Sequence, residues 1–333
     1  MTAPLKLPLV PAAFFGMVLG LSGLGNTWRA ATRVWHLPAA IGETITFVSV
    51  AVWAVLIVLY ALKWAAAREE ALKEVVHPVQ CCFVGLVGVA TMLVAGGLLP
   101  YSRIGAETLF ILGAIYTLAF SVWRTGGLWQ GERDVAATTA VLYLPSVAGS
   151  FVTATVAAAL GFPDWGQLFF GAGFFAWLAI ESALLHRLLT APALSPPLRP
   201  TLGIQLAPPA VGAVAYISVM PGPPDLLVHA MIGYGILQAL IMLRLLPWIS
   251  KEGFSLAYWA FTFGATALAT APLRLIDRGD TGPVAQLAPI LFIAANIAVG
   301  LIALATIWLI ANRKLTIGWA DLSRGDTGAV RQR

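Results

Sequence analysis

The sequence predicts an all-α integral membrane protein of ten transmembrane helices, built as five helical hairpins around a central pore. Three observations predict it. The 333-residue chain is 59% hydrophobic and 11% charged, far from the roughly 25% charged content of soluble domains. Its apolar residues fall into ten stretches of about 20, the length that crosses a bilayer. Alternate stretches share a proline and glycine pattern that the others lack.

In order, the stretches run from Pro8 to Trp28, Ala40 to Trp64, Pro78 to Leu98, Ile104 to Trp123, Tyr143 to Leu160, Trp165 to Leu185, Thr201 to Val219, Asp225 to Leu246, Ser255 to Leu273 and Pro283 to Ala311. Breakers separate them, among them Gly161-Phe162-Pro163-Asp164, the four prolines between Pro192 and Pro200, and Pro221-Gly222-Pro223-Pro224. The first stretch continues past Gly16 and Gly20 with no cleavage pattern, so it reads as a retained helix rather than a signal peptide. Fifteen of the 20 Lys and Arg residues fall on the side holding both termini. Five, Arg29, Arg33, Arg103, Arg274 and Arg278, fall on the other. The positive-inside rule then puts both termini in the cytoplasm, and two termini on one side require an even number of helices. Residues 1–315 read as one pore domain, and the charged, Gly-containing stretch 316–333 as a disordered cytoplasmic tail.

The odd stretches should be the inner ones. The first, third, fifth and seventh carry Pro11, Pro78, Pro145 and Pro208-Pro209 early, and each is then rich in small residues. Proline inside a helix removes a hydrogen bond, which a membrane tolerates where protein or a water-filled cavity satisfies the backbone. Small residues also allow close helix packing, as in the Gly16 to Gly20 spacing. Packing explains any one helix, but recurrence in alternate hairpins suggests five repeats around an axis. The middle of every odd stretch is free of Lys, Arg, Asp and Glu, so no proton relay or coupling-ion site is evident there. Glu43, Glu107 and Glu181 lie in even stretches, where they read as partners of Arg or backbone groups.

The same residues exclude other chemistry. Adjacent Cys81 and Cys82 point about 100° apart on a helix and cannot share a metal. His36, His77, His186 and His229 lack metal-ligand spacing. We therefore expect no metal or cofactor, and no enzymatic activity because the inner stretches supply no cluster of His, Asp or Glu; the net charge of +5 reads as cytoplasmic loops, so no nucleic-acid partner is expected.

The stretch from Leu256 to Thr270 focuses the reading. Phe261 and Phe263 are set against a run of Gly, Ala and Thr. Two residues apart, they point about 200° apart around a helix, so one facing a pore leaves the other facing packed neighbours. Phe263, just before Gly264, is the candidate plug; the competing reading makes both rings core filler. Candidate pore-lining residues are Gly16, Gly20, Gly149, Gly212 and Gly264.

Several motifs then become specific. Phe15-Gly16-Met17-Val18-Leu19-Gly20, Tyr143-Leu144-Pro145, Leu168-Phe169-Phe170-Gly171-Ala172-Gly173 with Glu181, Gly203-Ile204-Gln205-Leu206-Ala207-Pro208, Gly233-Tyr234-Gly235 with Leu243-Arg244-Leu245-Leu246-Pro247-Trp248, and Trp259-Ala260-Phe261-Thr262-Phe263-Gly264 occur in order. Together they resemble the TehA-like tellurite-resistance and dicarboxylate transporter family, which includes the slow anion channels of plant guard cells. The resemblance implies quasi-five-fold symmetry, kinked odd helices around the pore, a homotrimer in the bacterial inner membrane, and occlusion by the phenylalanine corresponding to Phe263. One departure is Gly264, where the plant channels have proline. The short termini also depart from the long phosphorylated ends of those channels, which argues against kinase regulation of the plant type.

Two functions follow. The first is a gated channel for small monovalent anions, selective through the cost of dehydration in a narrow, weakly binding tube. The second is a secondary carrier of C4-dicarboxylates or oxyanions such as malate or tellurite. A dicarboxylate carrier should place a cation or helix terminus at the midplane, and no basic residue stands there.

Overall fold

Long helical segments and one short surface helix account for most of the described residues of the computed structural model, which are 6–131, 134–315 and 318–321. Strand β1 (Lys6–Leu9) pairs antiparallel with β2 (Gly318–Asp321), Leu9 opposite Gly318, so the two ends of the chain meet on one side. The rest of the expected tail lies outside the described residues.

The helices are α1 (Phe15–Trp35), α2 (Ala39–Ala66), α3 (Arg68–Val76), α4 (Cys81–Val84), α5 (Leu86–Leu98), α6 (Arg103–Leu128), α7 (Gly149–Ala159), α8 (Pro163–Thr190), α9 (Ala207–Val219), α10 (Leu226–Ile249), α11 (Thr262–Ile276) and α12 (Pro283–Ala311). Among the described residues, eight segments are long and apolar enough to cross a membrane. The first and ninth expected spans are not among them. Helix α1 carries Asn26, Arg29 and Arg33 and continues to Trp35 rather than ending at Trp28. Helix α11 has 15 residues, about 22 Å at 1.5 Å per residue. The 3-10 turn Leu256–Phe261 before it adds about 12 Å at 2 Å per residue.

Burial separates the segments into two groups. In their most apolar stretches, Cys81–Leu98, Ala140–Ala159 and Pro196–Val219 are 78%, 72% and 78% buried, whereas α2, α6, α8, the span Leu226–Glu252 and α12 are 22% to 33% buried. Ile104, Leu112, Ile293 and Leu304 on the second group stay exposed, as a hydrocarbon-facing surface allows. Helices α1 and α11 belong to the buried group: Leu19, Ala30, Ala31, Leu268, Ala269 and Leu273 are all sealed.

The buried group also departs from α geometry at its leading ends, and not as simple kinks. Ala12–Phe14, Pro196–Leu206 and Leu256–Phe261 are 3-10 turns, Leu144–Ala148 is a π segment, and Gly85 separates α4 from α5. Pro145 and Pro208 sit in the first turn of their elements, where a missing N–H costs least. The ninth segment enters through a 3-10 turn without any early proline.

Helix α3 was not expected from the sequence. Its Glu74 accepts from Lys63 Nζ at 2.8 Å and from the backbone N of Ala12 at 2.6 Å, and Lys63 also reaches the Val10 carbonyl at 3.3 Å. Both side chains are buried. This ion pair therefore fastens α2, α3 and the start of α1 together, each charge compensated by the other and by backbone, as burial demands. At the opposite side, Asp225 caps α10 by accepting from Val228 N at 3.1 Å. The Tyr216 hydroxyl donates to the same carboxyl and holds it below the usual carboxylate range.

Candidate functional site

Five leading ends that are not regular α-helix, brought together by the burial of their helices, enclose a cavity of about 410 Å³. Each inner segment gives it one helical face: Gly16 and Leu19 from α1, Phe83 and Leu86 from α4 and α5, Tyr143, Val147 and Phe151 from the fifth segment. Thr201, Ile204 and Val211 come from the seventh, and Leu256, Ala260 and Phe263 from the ninth. Spacings of three and four residues are those of one face of a helix. No α2, α6, α8, α10 or α12 residue lines it, nor does any Asp, Glu, Lys or Arg among the described residues. At one end lie Pro11, Pro197 and the exposed His77 and Gln80, on the side where the chain ends meet. Moving inward, the last lining residue on each segment is Leu19, Leu86, Phe151, Val211 or Phe263.

Phe263 is half-buried and faces this cavity; Phe261 does not line it. Phe261 instead packs over Gly203, stacks on Tyr258 at 6.0 Å and joins a cluster with Leu194, Met242 and Ile249. The opposed orientation expected from their spacing is what the helix produces.

Of the five glycines singled out, Gly16 lines the cavity and the other four do not. They stand at helix crossings. A Cβ on Gly20 would lie 2.2 Å from Thr262 Oγ1, on Gly149 2.4 Å from Thr117 Cγ2, and on Gly212 2.5 Å from Met231 Cε. Between α1 and α11, Thr262 and Thr266 fit against Gly20 and Gly23, and Thr27 bonds both the Thr266 carbonyl at 3.0 Å and Thr270 Oγ1 at 2.8 Å. Small residues here permit close approach in a setting where packing and hydrogen bonds, rather than hydrophobic force, associate helices.

Gly264 meets backbone: a Cβ would lie 2.8 Å from Ala207 N and 2.9 Å from Leu206 C. Neither neighbour can yield by a side-chain rotation. Gly264→Ala should therefore push α11 off the start of α9 and cost about 1–3 kcal/mol, the range for overpacking. Thermal unfolding in detergent checks it; an unchanged melting temperature would refute the close contact.

The outer-helix carboxylates divide as follows. Glu43 pairs with Arg29 at 2.6 Å and accepts from Tyr101 at 2.6 Å, and Glu107 pairs with Arg103 at 2.8 Å. Glu181 pairs with no arginine among the described residues. Its Oε1 accepts from Gln205 Nε2 at 2.7 Å and Tyr234 Oη at 2.5 Å, its Oε2 from Tyr143 Oη at 2.5 Å and Trp177 Nε1 at 2.9 Å. Thus a buried carboxylate joins α8 and α10 to two inner segments, and Tyr143 lines the cavity beside it. Gln205 and Tyr143, polar side chains in apolar segments, were the visible signal for this cluster; their shared partner was not.

The sequence has clear relatives among known proteins. Residues 10–307 match the family described as Voltage-dependent anion channel, SLAC1. The chain is 37% identical over 310 residues to a "Tellurite resistance protein TehA homolog" of Haemophilus influenzae, covering 93% of this chain and 92% of that one. It is 26% identical over 275 residues to the Arabidopsis thaliana "S-type anion channel SLAH3", covering 79% of this chain and 42% of the plant protein. Against the "Guard cell S-type anion channel SLAC1" of the same plant the identity is 24% over 280 residues, covering 80% of this chain and 50% of the plant protein.

Proposed function

The chain belongs to the SLAC1 family of voltage-dependent anion channels, and from that membership we propose that it is a gated channel for small monovalent anions, held shut by Phe263. One observation carries the reading: a single face from each of five inner segments lines one cavity without ionisable carboxylate or ammonium groups, and on the ninth segment that face ends at Phe263. In this reading all ten segments cross the inner membrane in quasi-five-fold order, with both termini cytoplasmic. The homotrimer, each protomer with its own pore, follows the family resemblance.

Selectivity in such a tube comes from what an ion must shed to enter it. Apolar walls repay little of the lost hydration, so weakly hydrated anions pass more readily than chloride. A carrier would instead need differential contacts with its substrate at midplane.

The test is current across a planar bilayer holding purified protein under an anion gradient. A channel gives a reversal potential set by the anion and a conductance that rises with salt without early saturation. Saturable uptake of a labelled dicarboxylate, driven by a pH gradient and without matching current, would replace this reading with that of a carrier.

A further inference from the structure

Past Phe263 the cavity-facing sides of two inner helices continue toward the opposite end of the molecule. Arg274 follows Phe263 by eleven positions on α11, which returns it to within about 20° of the same face, about 16 Å further along. Ser218 follows Val211 by seven positions on α9, again within about 20° of its face. These two side chains meet: Arg274 Nη1 donates to Ser218 Oγ at 2.7 Å, and that hydroxyl donates onward to the Val214 carbonyl at 2.8 Å. Arg274 is partly exposed between Leu273 and Leu275, which are 0% and 1% exposed. The helix is therefore less tightly enclosed on the arginine's side than on its neighbours'.

The other arginines at this end are occupied. Arg29, Arg33 and Arg103 pair with Glu43, Asp277 and Glu107. Arg278 donates to the carbonyls of Ile217 and Met220. Arg274 has no carboxylate within ion-pair distance among the described residues. The charges acting on it are Arg33 and Arg278, both positive, and Asp277, which is shared with Arg33. A guanidinium is weakly hydrated and presents several N–H donors in a fixed plane, and partial burial strengthens its field.

We propose that Arg274, oriented by Ser218, is a capture site for small, weakly hydrated monovalent anions at the end of the pore remote from the cavity. The proposal rests on the channel reading for its role in conduction, though not for binding itself. A purely structural arginine tying α11 to α9 would be indifferent to bulk anion concentration. A capture site raises the local anion concentration, and its effect fades with salt.

The experiment uses Phe263→Ala as the conducting background in planar bilayers. Adding Arg274→Gln should lower anion current entering from the Arg274 face by about tenfold at low salt, the lower end of electrostatic steering, with the difference closing at high salt. Arg274→Cys, folded and then treated with a cationic thiol reagent, should regain the current; an anionic reagent should depress it further. Equal currents with and without Arg274→Gln at low salt, or no effect of reagent charge, would overturn the site. A second readout needs no current and no phospholipid: thiocyanate should raise the melting temperature of the wild type in detergent and not that of Arg274→Gln. If Phe263→Ala is silent while this stabilisation persists, the channel reading fails and the binding site stands. If stabilisation is identical in both proteins, the site fails whatever the current.

Discussion

Replacing Phe263 by alanine should raise anion current by more than about tenfold, equivalent to lowering the barrier by about 1.4 kcal/mol or more. An apolar constriction excludes ions by excluding their water, and Phe263 is the large side chain that ends the ninth segment's cavity face. Truncating a buried phenylalanine usually costs about 3–5 kcal/mol. This ring is only half-buried and borders a cavity that already exists, so the loss should be smaller and the fold should survive. Phe261→Ala makes the contrast. That ring fills the space over Gly203 and against Tyr258, so its removal should fall within the full cost and leave the current unchanged. Bilayer current and thermal unfolding on both variants would separate gate from filler. A folded Phe263→Ala with wild-type conductance would end the gate assignment.

Why the cavity-facing side of Phe263 was legible and the contacts of most of the glycines were not is a matter of helix phase. Two phenylalanines at i and i+2 fix their own relative direction, so naming one as the pore face dismisses the other. A run of small residues carries no such constraint. Gly20, Gly149, Gly212 and Gly264 signal that something passes close, and what passes close is Thr262, Thr117, Met231 and the Ala207 backbone. Segment positions were readable because about 20 apolar residues between breakers is a strong signal. The extension of α1 to Trp35 was hidden by Arg29 and Arg33, which read as loop charge. Helix α3 was hidden by being nine residues long and charged. Glu181 was expected to meet an arginine or the backbone. Its four donors come from three other segments and its own helix, a convergence that no local pattern encodes.

That convergence sets the second large expectation. Glu181→Leu should destabilise the protein by about 3–5 kcal/mol, since each buried donor left without its acceptor costs about 1–3 kcal/mol. Lost attraction is the smaller part of it. Trp177 Nε1 can only donate, and with leucine in place it faces hydrocarbon with nothing to accept, while the Gln205 amide is left with the Tyr143 hydroxyl at 3.3 Å. The Tyr143 and Tyr234 hydroxyls lose their acceptor too. At roughly 2–4 °C per kcal/mol for a chain of comparable size, the melting temperature in detergent should fall by about 6 °C or more. Glu181→Gln keeps one acceptor oxygen and turns an amide toward donors, so it should fall between wild type and leucine. A double-mutant cycle separates the network from mere volume change. Tyr234→Phe alone should cost about 1 kcal/mol. In the Glu181→Leu background the same substitution removes a stranded hydroxyl, so its cost should vanish or change sign. If the two substitutions add, or if Glu181→Leu melts with the wild type, then Glu181 does not hold these helices. In the conducting background, the same release of Tyr143 should disturb the cavity wall, because one hydroxyl links the buried carboxylate to that wall.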